Sequence, residues 1–138
     1  MSMTFDTKIA IVLRDDLESW QSLNVTAFIA SALVGKNPTI MGENYEDASG
    51  ILYLPMVVQP MMIYQADIDG IRKAYTRALE RKVELAIFTM ELFSTLDDIA
   101  NRAAVADKAS DELDLVGIAM RDQKKTVDKV IKGLKLHS

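Results

Sequence analysis

The run Lys8-Ile-Ala-Ile-Val-Leu13 constrains this chain more than any other segment. Its five apolar residues follow one another without polar alternation, and three of them are β-branched. Such a run suits a strand buried on both faces. A strand of that kind needs cover above and below, and the rest of the chain supplies it. Further strand-like runs at Ile51–Leu54, Met61–Gln65, Val83–Thr89 and Leu113–Met120 alternate with helical periodicity. The expectation is an α/β fold, a three-layer α/β/α arrangement around a mixed, mostly parallel sheet. Pro55 and Pro60 bracket Met56–Gln59 and argue against a purely parallel one. No repeat, low-complexity tract or linker interrupts the order, so residues 1–138 are read as a single domain.

Local signals set the helices. Asp15–Leu23 reads as a polar loop containing Trp20, the only tryptophan. Ser22 or Asn24 then caps a helix with Val25, Phe28, Ile29, Ala32 and Leu33 at helical spacing, and Gly35 with Asn37-Pro38 ends it. Thr39–Gly50 reads as a loop or short excursion. Asp67 caps an amphipathic helix with Ile68, Ile71, Tyr75, Ala78 and Leu79 on one face; Arg72, Lys73, Arg77 and Arg81 lie on or near the other. Thr95–Ala109 is an alanine-rich helix with Leu96, Ile99, Ala100 and Ala103 on one stripe. Gly117 permits close backbone approach within its strand. A last helix spans about Asp122 to Lys132.

Composition removes several classes of function. With no cysteine there is no disulfide framework, Cys-based zinc site or thiol nucleophile. Met1–Lys8 lacks the layout of a signal peptide, and the uncharged run Ser22–Gly35 is too short and polar to span a bilayer. A cytoplasmic location and no membrane partner are expected. The net charge of −4 disfavours a polyanionic partner such as nucleic acid. One basic stretch opposes that trend, because six of the residues from Arg121 to Ser138 are Lys or Arg against two acids. Lys124, Lys125, Lys129 and Lys132 there are either phosphate contacts or a solvated helix face. The chain has no phosphate-loop, dinucleotide-fingerprint or serine-elbow pattern. His137 is the only histidine, beside the C-terminus where chains fray. No metal site and no cofactor are expected.

Two segments resemble the type II peptidyl-tRNA hydrolases. Lys8–Leu17 (KIAIVLRDDL) is similar to that family's opening strand and its Arg-x-Asp-Leu exit. Leu115–Leu136, with Asp128-Lys129-Val130 and Leu134-Lys135-Leu136, is similar to its closing strand, helix and ending. An uncharacterised bacterial family allied to that fold is a closer match, through Leu115-Val-Gly-Ile-Ala119, the Lys-rich helix after it and Asn24. The resemblance implies a peptidyl-tRNA hydrolase II-like fold and, for any enzyme, hydrolase chemistry. The family's catalytic lysine belongs to a Gly/Lys-rich loop before the first helix. Here that loop is Glu18-Ser-Trp-Gln-Ser-Leu23, with neither residue. The family's Gln and His are also missing from Val25–Ser31, while its Asp-x-x-x-Thr motif persists loosely as Glu91-x-x-x-Thr95.

These residues define the candidates. Asp15 and Asp16 follow a strand, where α/β sheets keep ligands, and these adjacent acids either act chemically, with Asp16 as the catalytic candidate, or serve loop solubility and capping. Glu91 with Thr95 is either a general base beside a hydroxyl or a carboxylate at a helix start. Asn24 and Thr26, at the expected start of the first helix, either hold an anion or cap it. Trp20 covers a pocket, joins a dimer face or packs locally. Met56, Met61 and Met62 line an adaptable pocket or fill core. The leading expectation is a small-ligand-binding or unassigned enzymatic domain, with the first helix N-terminus, Asp16 and Glu91 around one cleft. The alternatives are a divergent peptidyl-tRNA hydrolase, in which a C-terminal lysine replaces the lost cation, and a non-catalytic homodimeric interaction module.

Overall fold

Strand β1 (Thr7–Arg14) is flanked on both sides within its sheet, by β6 (Leu115–Gln123) and β4 (Met61–Ala66). From Ile9 to Leu13 it is at most 2% exposed, as the unbroken apolar run requires. The computed structural model describes residues 4–138; the first three residues of the polar Met1–Lys8 opening lie outside it. The remaining strands are β2 (Tyr45–Glu46), β3 (Leu52–Tyr53), β5 (Ala86–Thr89) and β7 (Lys135–Leu136). Four α-helices accompany them among the described residues, α1 (Ser19–Lys36), α2 (Ile68–Glu80), α3 (Asp98–Ala106) and α4 (Lys124–Val130). The main sheet runs β5-β6-β1-β4-β7.

The sheet is mixed, but it is not mostly parallel. Among the described residues only β1 and β4 pair in parallel; β1–β6, β5–β6 and β4–β7 are antiparallel. The β1–β4 step has α1 in its connection, long enough for a crossover. β6 instead returns beside β5 after α3, a helix that packs on the 3₁₀ turn Met90–Ser94. β7 follows α4 through Gly133, whose φ of +88° suits glycine.

Alternate residues of β1 join two separate hydrophobic clusters. Ile9, Ile11 and Leu13 pack with Val25, Ile29 and Leu33 of α1, whereas Ala10 and Val12 pack with Ile71, Ala74 and Ala78 of α2 and with Val127 and Val130 of α4. Gly117 of β6 lies under α1, where an added Cβ would sit 2.5 Å from Val25 Cγ1. The close approach expected at this glycine is present.

Three local expectations change. α1 begins at Ser19, so Trp20 lies in its first turn rather than in a loop, and Asn24 and Thr26 lie inside the helix. Gln21 Oε1 accepts the Glu18 N–H at 2.9 Å, half of a capping box, and Trp20 Nε1 donates to Glu18 Oε2 at 2.8 Å. The stripe expected to bury the third helix is on the surface, with Leu96 98% and Ile99 78% exposed. The C-terminal segment does not fray: β7 pairs with β4, and the His137 N–H donates to Ile63 O at 2.9 Å.

Candidate functional site

The carboxyl ends of β1 and β4 lie side by side, joined by an Asp15 N–H to Ala66 O hydrogen bond of 2.8 Å. Two cavities open there, and both are lined by Asp15 and Gln65. The larger, about 670 Å³, lies against the start of α2 and the turn between α4 and β7. Lys73, Arg77, Lys132 and Lys135 line it, against the acids Asp15 and Asp67. Asp67 is already engaged, since its Oδ1 accepts the Gly70 N–H at 2.7 Å as the N-cap of α2. Arg77 Nη1 donates to Lys132 O at 3.0 Å and so ties the lysine-bearing turn to α2. In a chain of net charge −4, this is a local reversal of sign.

The smaller cavity, about 380 Å³, lies at the first turn of α1 and is lined by Arg14, Asp15, Ser19, Ser22 and His137 among others. Pairing of β7 with β4 brings the single imidazole to this place. His137, expected beside a fraying terminus, is placed here by a strand of two residues, too short for any periodicity to announce.

Arg14, the last residue of β1, is 5% exposed and carries two carboxylates. Its Nε donates to Asp16 Oδ1 at 2.7 Å, and Nη1 to Asp114 Oδ1 at 2.6 Å and Leu115 O at 3.2 Å. Burial pulls its pKa down, but the hydrogen bonds to Asp16 and then Asp114 outweigh burial and hold the guanidinium above its ordinary value. Asp16 is therefore half of an ion pair, while its neighbour Asp15 lines both cavities.

The other expected residues fall nearby in part. Met90 N–H donates to Asp114 O at 3.0 Å, and Trp20 packs edge-on against Phe93 with centroids 5.4 Å apart. The turn bearing Glu91 thus adjoins the start of α1, as expected. Glu91 Oε2 is buried without a hydrogen-bond partner among the described residues, yet Glu91 and Thr95 line neither strand-end cavity. The Thr95 hydroxyl is held by Leu92 O at 3.0 Å and by the Asn101 side chain. Thr26 Oγ1 donates back to Ser22 O at 2.7 Å, which engages it within its own helix, and Asn24 is exposed in the second turn. Asp16 and Glu91 line neither strand-end cavity, whereas Asp15, Ser19, Ser22 and His137 line the smaller one.

The C-terminal lysines divide. The Lys124 N–H donates to Asp6 O, which puts Lys124 and Lys125 at the opposite, amino end of β1. Lys129 does not line either cavity; Lys132, and Lys135 beyond the expected helix, line the larger one.

A mixed α/β protein with a basic cavity at its parallel strand ends is the class that fold and site define. The chain belongs to the DUF2000 family of proteins of unknown function, whose model matches residues 7–138. It is similar to a solved structure, the protein of unknown function Atu0240 from Agrobacterium tumefaciens str. C58. The two share 44% identity with a TM-score of 0.96, over 98% of this chain and 100% of that one. No curated protein matches the chain.

Proposed function

We propose that residues 1–138 form a single cytoplasmic domain of peptidyl-tRNA hydrolase II-like, three-layer α/β/α architecture that binds a small anionic ligand at the carboxyl ends of β1 and β4. The observation that carries the reading is the convergence of Lys73, Arg77, Lys132 and Lys135 on one 670 Å³ cavity in an acidic protein. That volume falls within the ordinary range for small-molecule sites. The two hydrophobic clusters that divide alternate residues of β1 between α1 and α2/α4 support the layered architecture. No described helix is long and apolar enough to cross a membrane. Asp15 and His137, at the adjoining cavity, are the groups able to move a proton on a bound ligand.

The test is titration with inorganic phosphate followed by amide NMR. Shifts are expected to concentrate at Asp15, Gly70, Lys73 and Lys135. Lys132→Glu with Lys135→Glu is expected to weaken binding by roughly a hundredfold, as two charge-assisted contacts are lost. Saturating phosphate that moves none of these amides, or moves them equally in the double variant, removes the reading.

The same four cations favour a second reading, a divergent peptidyl-tRNA hydrolase in which Lys132 or Lys135 replaces the lost loop lysine. Release of peptide from peptidyl-tRNA by the wild type but not by the double variant is its expected outcome. Intact peptidyl-tRNA at high protein concentration discards it.

A further inference from the structure

The two strand-end cavities share Asp15 and Gln65, so they meet at one boundary, which the Asp15 N–H to Ala66 O bond fixes. Their chemistry differs on either side of it. The larger cavity gathers Lys73, Arg77, Lys132 and Lys135, and none of the four forms a salt bridge among the described residues. The smaller has no such cation to offer. Arg14 lines it, but its guanidinium is taken by Asp16, Asp114 and Leu115 O.

What the smaller cavity holds instead is a set of short polar groups. Ser19 and Ser22 bring hydroxyls from the first turn of α1, Asp15 a carboxylate and Gln65 an amide. Gln65 Oε1 accepts the Ser138 N–H at 3.3 Å, which leaves its Nε2 to donate. The Asp15 carboxylate forms no salt bridge among the described residues and, ionised, can only accept. A mixture of donors and acceptors in one small space is satisfied by hydroxyl groups, each of which does both. Leu17 and Leu23 supply an apolar wall for the carbons that carry them.

We propose, on the anion-binding reading of the larger cavity, that one ligand spans both: a phosphomonoester of a small polyhydroxylated compound. Its phosphate lies among the four cations and its hydroxyl-bearing carbons fill the smaller cavity. A phosphomonoester carries roughly two negative charges at pH 7 and three strongly accepting oxygens, which suits several unpaired cations better than a lone carboxylate does. A nucleotide is disfavoured, because its base needs a flat surface and no Phe, Tyr or Trp lines either cavity. Trp20, although in the first turn of α1, is held against Phe93. A phosphodiester, whether a lipid headgroup or a nucleic acid, continues into a second anion. That anion meets the Asp15 carboxylate at the boundary and finds no free cation beyond it.

Amide NMR of the full chain with inorganic phosphate, glucose 6-phosphate and free glucose tests this. Glucose 6-phosphate is expected to bind at least roughly tenfold more tightly than phosphate, since several hydrogen bonds are added. Its shifts are expected to extend from Lys73 and Lys135 to Ser19, Ser22 and His137, which phosphate alone leaves in place. Free glucose, without the anion, is expected not to bind. Ser22→Leu removes a hydroxyl and narrows the smaller cavity, and is expected to cancel the tenfold gain; an unchanged melting temperature shows that the fold persists. Should phosphate move the amides of the larger cavity while glucose 6-phosphate binds no more tightly, or moves nothing at the smaller one, the anion site stands and the spanning ligand is overturned. A gain that survives Ser22→Leu overturns it as well. If phosphate moves no amide of the larger cavity, the anion site itself is lost and the spanning ligand with it.

Discussion

Gly117→Ala measures how tightly α1 is set on the sheet. A methyl group there meets Val25 Cγ1 at 2.5 Å, Ile29 Cδ1 at 3.3 Å and Leu13 Cδ2 at 3.5 Å. Carbon contacts are optimal near ~3.5–4.0 Å, so only the Val25 contact demands a large shift, on the order of 1 Å. Val25 is fully buried, and a β-branched side chain in a helix has essentially one rotamer to offer. The helix itself must therefore back away. Overpacking of this kind costs about 1–3 kcal/mol. The φ of Gly117 is not in the left-handed region, so alanine adopts the backbone freely and recovers ~0.4–1 kcal/mol through the unfolded chain. The net destabilisation is about 1–2 kcal/mol, or roughly 3–8 °C in Tm for a chain of this length. Urea melts of wild type, Gly117→Ala, Val25→Ala and the double variant give the assay. Truncating Val25 removes the clashing carbon, so the double variant is expected to be more stable than additivity allows by ~1 kcal/mol or more. A Gly117→Ala protein as stable as wild type, or a strictly additive cycle, would falsify the packing argument.

Two further outcomes follow from hydrogen-bonded carboxylates. Arg14→Lys keeps the charge but loses the forked geometry that reaches Asp16, Asp114 and Leu115 O together. Because Asp16 and Asp114 are about half exposed and can rehydrate, the cost is expected at about 1–3 kcal/mol in urea melts, and an unchanged midpoint contradicts it. Asp47 has a lowered pKa, chiefly from the Tyr53 hydroxyl and next from the Ile51 N–H. A depressed folded value means that the ordering of the β2–β3 turn is complete above the ordinary carboxylate range and fades as pH falls through the lowered folded value. Amide exchange at Ser49 and Ile51, whose N–H groups donate to Asp47 Oδ1, is expected to accelerate over that window, beyond its intrinsic pH dependence, and Asp47→Ala to show the fast behaviour at neutral pH. Protection at these amides that is indifferent to both changes rules the mechanism out.

What was legible in the sequence is what neighbours in the chain decide. The unbroken run from Ile9 to Leu13 marked a strand buried on both faces, and Asp67 ahead of Ile71, Tyr75 and Ala78 marked a capped amphipathic helix. Both signals lie within a few residues of the structure they specify. The start of α1 was harder, because its first turn, Ser19 to Ser22, carries no apolar period, and its N-cap is a glutamate rather than one of the short side chains that usually serve. The stripe through Leu96 and Ile99 had the right period and nothing to bury it, since period records a face and not the presence of a neighbour. Sheet direction failed for the same reason: whether β6 meets β1 in parallel or antiparallel depends on where α3 sends the chain. The candidate site is the extreme case. Lys73 and Arg77 read as the solvent face of one helix, and Lys132 with Lys135 as part of a basic tail, each correct locally. They become a basic cavity only because β7 folds back on β4 and Arg77 grips the carbonyl of Lys132. A chain can therefore be acidic throughout its composition and still present concentrated positive charge, and net charge constrains a ligand only once the fold has placed the residues that carry it.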